Sequence, residues 1–206
     1  MTSKQARQAP RLLRNQFKYD NAFGIPIIKK CEIKNKNLKF IGFDQVDNKK
    51  RGLVNRTIHF FIDDNKFDKV YNSPKKYYKM LAKFEAVLTP DFSLFTDMPL
   101  VIQMYNVFKN RWCGAYRQDL GLKTVIPTIS WGDERSYDFS FLVVEKGSTV
   151  AISTVGVRKK KEVFMKGYKA MREIIKPQLI YCYGKPFSEM NGEIIFIEYL
   201  SKAGRC

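Results

Sequence analysis

The chain has 206 residues and a formal net charge of +17, with 37 lysines and arginines against 20 aspartates and glutamates. Hydrophobic residues make up 45% and aromatic residues 14%, which is enough for the core of one domain and excludes an intrinsically disordered chain. The longest apolar runs fall far short of the roughly 20 residues of a membrane-spanning helix, and the first 15 residues lack the apolar centre of a secretory signal.

The N-terminal quarter of the chain carries most of this charge. Residues 1–57 hold 14 of the basic residues and only four acidic ones. Within residues 1–20 three arginines recur at helical spacing: Arg7, Arg11 and Arg14. This segment predicts either a short helix or a chain that orders when it meets a polyanion, placed before a single domain over residues 21–206.

Short apolar runs and amphipathic stretches alternate along the rest of the chain. An extended piece is expected at 38–43, followed by strands at 57–62, 86–88, 124–129, 149–152, 179–183 and 194–197. Helices are predicted over 73–83, 98–119 and 160–176. The pattern predicts an α/β domain with a mostly parallel sheet of about six strands and crossover helices, as an open sheet or a partial barrel.

The long predicted helix has its apolar residues on one face. Val101, Tyr105, Phe108 and Trp112 follow one another at intervals of four, three and four residues. We therefore expect this face to pack on the sheet. Ser73 is the expected N-cap of the preceding helix, with a proline directly after it.

Several polar residues follow the predicted strands, at the edge where parallel sheets bind ligands. The candidate catalytic residues are Asp63, Asp91, Ser130 and Tyr183. If the protein is an enzyme, Asp63, Asp91 and Asp133 are the candidate ligands of Mg²⁺ in a nuclease-like or phosphodiesterase site. The competing interpretation is that an aspartate after a strand, such as Asp64, caps the next helix or forms a turn.

Cations mixed with aromatic residues indicate a nucleic-acid surface. Four cations stand at the start of a predicted helix, where they oppose the helix dipole unless an anion binds there. A solvated loop explains them equally well, and packing on the sheet is the alternative for the cations of the long helix. The predicted nucleic-acid-binding residues are Arg7, Arg11, Arg14, Arg111, Arg117, Arg158, Lys159, Lys160, Lys161 and Lys185.

Other common sites are not supported by the sequence. The four cysteines are scattered, and the single histidine, His59, lies inside an apolar run and is interpreted as a packing residue. Neither a dinucleotide-binding glycine motif nor a phosphate loop is present. Because the sequence shows no secretory signal, we expect the cysteines to be reduced thiols in a cytoplasm.

Five segments resemble the domain of unknown function 4417 family over roughly residues 15–190. The segments are PDFSLFTDMPL at 90–100, NRWCGAY at 110–116, IPTISW at 126–131, GSTVAISTVG at 147–156 and CYGKP at 182–186. The resemblance implies a protein of a phage or another mobile element, acting in the cytoplasm of a bacterial host. It implies no particular reaction.

Three functions therefore stand as hypotheses. The first is binding of DNA or RNA, which the charge favours. The second is the metal-dependent phosphodiesterase with the strand-end aspartates as ligands. The third is a phage-encoded inhibitor that binds a host or defence protein.

Overall fold

The computed structural model describes residues 2–4, 13–31, 33, 35–46, 54–122 and 124–198. This part of the chain contains seven strands and five α-helices. They are β1 (Phe40–Gly42), β2 (Thr57–His59), α1 (Asp64–Asn72), α2 (Pro74–Leu81), β3 (Ala86–Leu88), α3 (Leu100–Asp119), β4 (Val125–Ile126), α4 (Tyr137–Ser140), β5 (Thr149–Ser153), α5 (Lys161–Ile175), β6 (Leu179–Tyr183) and β7 (Ile194–Ile197).

All the paired strands are parallel, and they follow one another in chain order. One sheet has the order β1-β2-β3-β4 and the other β5-β6-β7. Two backbone hydrogen bonds join them: Ile129 N–H donates to Ala151 O at 2.8 Å, and Ala151 N–H donates to Pro127 O at 2.9 Å. The predicted α/β class with a parallel sheet is thus confirmed, with β1 as one strand more than the six expected.

The sheet curls until its two edge strands lie opposite each other. The Tyr181 hydroxyl of β6 donates to the carbonyl of Lys36, just before β1, at 2.9 Å. The ammonium group of Lys36 pairs with Glu193, just before β7, at 2.6 Å. Because residues of both β1 and β7 also line one cavity of about 310 Å³, the sheet forms a partial barrel rather than an open sheet.

Alternate residues of β6 pack in two different hydrophobic clusters. Tyr181 and Tyr183 pack with residues of β2 and β3, whereas Ile180 and Cys182 pack with the buried residues of α5. His59 is buried, with its ring centroid 4.8 Å from that of Tyr183, as expected for a packing histidine. Within the described residues, no helix is long and apolar enough to cross a membrane.

The buried face of the long helix α3 is not the face that was predicted. Val101 is 68% exposed and Tyr105 is 48% exposed, so the proposed apolar face is wrong over its first two turns. The buried side chains of α3 include five that are polar or charged: Gln103, Asn106, Asn110, Arg111 and Arg117. Their hydrogen bonds, described below, explain this orientation.

Two smaller features also differ from expectation. Helix α1, over Asp64–Asn72, was not predicted because its charged sequence buries only Phe67, Val70 and Tyr71. Ser73 stands directly before α2 as predicted, but its side chain makes no capping hydrogen bond.

Candidate functional site

Asp91 and Ser130 meet at the carboxyl ends of β3 and β4. The Ser130 hydroxyl donates to Asp91 Oδ1 at 3.0 Å. Burial raises the pKa of the Asp91 carboxyl to about 7; the hydrogen bond from Ser130 opposes this shift, and the nearby charge of Asp64 adds to it. Two of the four predicted catalytic residues therefore come together around a carboxyl group that can exchange a proton near neutral pH.

A second carboxylate, Asp64, supports the same loop. Asp64 is the first residue of α1, and its carboxylate accepts hydrogen bonds from the Ser93 hydroxyl at 2.8 Å and the Ser93 N–H at 3.1 Å. From the sequence, Asp64 was interpreted as a helix cap and its neighbour Asp63 as the functional residue. The two consecutive aspartates after β2 indicate a polar site at this strand end, but the sequence does not show which of the two lies near Asp91.

The predicted three-carboxylate Mg²⁺ site is not assembled. Asp63 is exposed and pairs with Lys66 at 3.2 Å, while Asp133 pairs with Arg135 at 2.8 Å. The hydrogen bond from Arg135 lowers the pKa of Asp133. No three His, Cys, Asp or Glu side chains within the described ranges are grouped so that they could hold one metal ion.

Tyr183 also lies away from Asp91 and Ser130. Its ring stacks on Phe61 inside the barrel, with centroids 4.9 Å apart. It lines the cavity between β1 and β7 rather than the one that Asp91 and Ser130 share.

Two adjoining cavities form a strand-end cleft beside Asp91. Their volumes are about 170 Å³ and 240 Å³. The first is lined by Asp91, Ser93, Ser130 and Ser153 at its polar end, and the second by Thr96, Gly132, Gly156 and Lys160. Both share walls of apolar and aromatic side chains: Leu94, Phe95, Trp131, Val155, Val157 and Phe164.

The polar face of α3 holds the loops that form this cleft. The Asn106 amide donates to Ser93 O at 2.7 Å, and the Asn110 amide donates to Pro90 O at 2.8 Å. The Arg111 guanidinium donates to Thr128 O at 3.1 Å and to Ser140 O at 2.7 Å. Side chains that satisfy buried carbonyls in this way position the backbone around Asp91 and Ser130.

Arg111 and Arg117 are consequently unavailable to a nucleic acid. Arg111 is only 1% exposed and Arg117 only 2% exposed. Arg117 donates to Leu88 O at 2.7 Å, and burial lowers the pKa of both guanidinium groups to about 10. The mixture of cations and aromatic residues on this helix is a packing feature, and we remove both arginines from the predicted nucleic-acid-binding residues.

Arg14 is likewise part of the packing. Its guanidinium carbon lies 4.1 Å from the ring centroid of Trp112 and 4.5 Å from that of Tyr71, and the group donates to Tyr71 O at 3.0 Å. Arg7 and Arg11 lie outside the described residues.

The remaining predicted cations collect beside the cleft. Arg158, Lys159 and Lys160 form a 3-10 turn directly before α5, and all three are exposed. Lys160 donates to the Thr96 hydroxyl at 2.9 Å. Arg158 is hydrogen-bonded to the carbonyl of Lys185, whose side chain is also exposed.

Lys161 begins α5 and differs from these four residues because it pairs with Glu189. We name Arg158, Lys159, Lys160 and Lys185 the basic rim.

The chain matches the family described as domain of unknown function 4417 over residues 17–200, which include the whole cleft and the basic rim. It belongs to that family. Two phage proteins are similar to it: the Gene 1 protein of Mycobacterium phage L5, 43% identical over 131 residues, and the Gene 1 protein of Mycobacterium phage D29, 40% identical over 131 residues.

Each match covers 62% of this chain, but only 57% of the L5 protein and 48% of the D29 protein. The chain thus aligns with about half the length of these relatives. No solved structure matches it.

Proposed function

We propose that this member of the family binds single-stranded nucleic acid, with the phosphates on the basic rim and a base in the strand-end cleft. The observation that carries the proposal is the position of the exposed Arg158, Lys159 and Lys160 beside a cleft with aromatic walls. Cations that track a backbone next to aromatic side chains are the usual arrangement for binding single strands.

The electrostatics of the rim favour a bound anion. Three cations precede α5 and one begins it, at the end of the helix where the dipole is positive. A phosphate group would offset this repulsion and accept hydrogen bonds from the first N–H groups of the helix. The formal net charge of +17 adds long-range attraction for a polyanion.

The aromatic walls favour a single strand over a duplex. Phe95 is 59% exposed and lines both halves of the cleft, as do the more buried Trp131 and Phe164. A base reaches such a pocket only when it is unpaired, because a paired base is stacked inside its helix. The similarity to two mycobacteriophage proteins supports a role in a phage or another mobile element.

Salt dependence of oligonucleotide binding tests this function. We expect the affinity for a labelled single strand to fall steeply between about 50 and 200 mM salt, because binding releases counterions. Reversing two rim charges, Lys159→Glu with Lys160→Glu, should weaken binding at least about tenfold. The same change should reduce the salt slope by about 0.7 for each phosphate that the rim no longer neutralises.

The matched control is Lys75→Glu with Lys79→Glu on α2. It changes the net charge equally, at two exposed lysines that do not line the cleft. Equal loss of affinity in the two variants would place the interaction elsewhere, and no binding by the wild-type protein would overturn the proposal.

A second candidate function, binding of a host or defence protein, is favoured by a different surface. Val101, Ile102 and Tyr105 are exposed together on the first two turns of α3, and exposed apolar groups of this kind mark protein contacts. A stoichiometric partner captured after nuclease treatment, and absent with Val101→Asp and Ile102→Asp, would support this function. Capture that the two substitutions leave unchanged would exclude this surface.

A further inference from the structure

The two ends of the strand-end cleft have opposite chemical character. One end carries the Asp91 carboxyl, which accepts a hydrogen bond from Ser130 at 3.0 Å. The other end carries the Lys160 ammonium group, held by the Thr96 hydroxyl at 2.9 Å. A ligand that fits both ends has a group rich in hydrogen-bond donors at one end and an anion at the other.

The size of the cleft limits the ligand to about one nucleotide. The two cavities, of about 170 Å³ and 240 Å³, together fall in the lower part of the range for small-ligand pockets, roughly 300–1,000 Å³. The flat walls formed by Phe95 and Trp131 suit the face of a base.

From this arrangement we infer that the cleft accepts one unstacked guanine, with its Watson–Crick edge against Asp91 and its phosphate at Lys160. An ionised carboxylate only accepts hydrogen bonds, and its two oxygens suit a pair of adjacent donors. Guanine presents two such donors, its N1–H and its 2-amino group. The inference rests on the proposed binding of single-stranded nucleic acid and adds the identity of the base.

The other bases present an acceptor to the same carboxylate. Adenine and cytosine place a ring nitrogen acceptor beside their amino group, and uracil and thymine flank one N–H with two carbonyls. Each would set lone pairs against Asp91, and Asp64 nearby adds further negative charge. An unpaired acceptor at a buried site is costly, which makes the guanine preference large.

Two oligonucleotides of equal charge test the inference. One is an oligothymidylate, and the other carries a single central guanine in the same thymidine sequence. At about pH 8, where the Asp91 carboxyl with its pKa of about 7 is ionised, we expect the wild-type protein to bind the guanine strand about ten times more tightly.

Changes to the base test the interaction without changing the protein. Hypoxanthine lacks the 2-amino donor and should lose about three- to tenfold of the preference. Replacing N7 of guanine by carbon leaves the Watson–Crick edge intact and should have no effect.

Asp91→Asn should remove the preference, because the amide replaces one acceptor oxygen by an NH2 group, which opposes one of the two adjacent donors of guanine. Asp133→Asn is the matched control, since Asp133 does not line the cleft, and it should keep the full preference. Salt-dependent binding that is equal for the two strands, or a preference that survives in Asp91→Asn, overturns the guanine site alone. Absence of binding to both strands overturns the proposed function, and the guanine site with it.

Discussion

Helices α3 and α5 cover the same curled sheet with opposite kinds of surface. In α5 the buried stripe is apolar: Phe164, Tyr168, Met171 and Ile175 recur at intervals of four, three and four residues. In α3 five of the ten buried residues carry an amide or a guanidinium group, and three of these, Asn106, Asn110 and Arg111, donate to loop carbonyls. Helix α5 stabilises the domain through burial of apolar area, whereas α3, which also buries Trp112, additionally holds the strand-end loops in place.

Stability and site geometry are separable for this reason. Packing contacts are adaptable, so the sheet under α5 can relax around a missing methyl group. Hydrogen bonds are directional, so removing one donor of α3 frees one particular carbonyl near Asp91 or Ser130. Substitutions in the part of α5 that does not line the cleft should therefore lower stability alone, whereas substitutions of the buried polar residues of α3 should also change the cleft.

The most damaging change should be Arg111→Met. The substitution keeps an unbranched side chain but removes the guanidinium group, which leaves the carbonyls of Thr128 and Ser140 with one donor fewer. We expect a loss of about 3–5 kcal/mol in the free energy of unfolding, measured with urea, together with weaker oligonucleotide binding. A loss below about 1 kcal/mol would show that these hydrogen bonds do not hold the loops.

Met171→Ala on α5 is the counterpart. Met171 is fully buried, so its truncation to alanine leaves a cavity. The free energy of unfolding should fall by about 2–4 kcal/mol. Oligonucleotide affinity, measured well below the unfolding midpoint, should stay unchanged. An equal loss of affinity in this variant would contradict the separation between the two helices.

The pH dependence of stability should depend on the Asp91 carboxyl. Its pKa rises from an ordinary 3.8 to about 7 on folding, so the folded protein keeps a proton that the unfolded chain releases. The free energy of unfolding should therefore fall as pH rises from about 4 to about 7, by on the order of 1–3 kcal/mol, and then level off.

Asp91→Asn should flatten this profile. Asp133→Asn should leave it in place, because Asp133 is a carboxylate already paired with Arg135. A profile that persists unchanged in Asp91→Asn would assign the proton to another group.

Asn106→Ala removes a single donor of α3, the one that binds Ser93 O. We expect a loss of about 1–2 kcal/mol in stability. Because Ser93 also holds Asp64, the loop that carries Asp91 should loosen, with a several-fold loss of oligonucleotide affinity. Retention of full affinity would show that the remaining donors suffice.

Lys161→Ala in the first turn of α5 should matter least. Its ion pair with Glu189 is exposed to solvent, and such pairs contribute about 0–1 kcal/mol. Stability should change by less than about 0.5 kcal/mol in a urea titration. A larger loss would show that the start of α5 depends on this pair.

Strong apolar periodicity made parts of the fold predictable. Helix α5 was expected over 160–176 and runs over Lys161–Ile175, while β6 has the predicted limits, Leu179–Tyr183. The orientation of α3 was not predictable in the same way. Its apolar residues also recur at helical spacing, but the hydrogen bonds from Asn106 and Arg111 turn another face inward.

Sequence alone was sufficient to predict the parallel α/β class and to place Asp91 and Ser130 at one edge of the sheet, because side-chain periodicity and strand ends are local properties. The resemblance of its motifs pointed to the family. The three-dimensional arrangement was needed to show that Asp64 rather than Asp63 supports that site, that Arg111 and Arg117 are buried, and that the sheet curls. These outcomes depend on which buried carbonyls and carboxyls require partners from distant segments. Hydrogen bonds between residues far apart in the chain leave no periodic pattern in it.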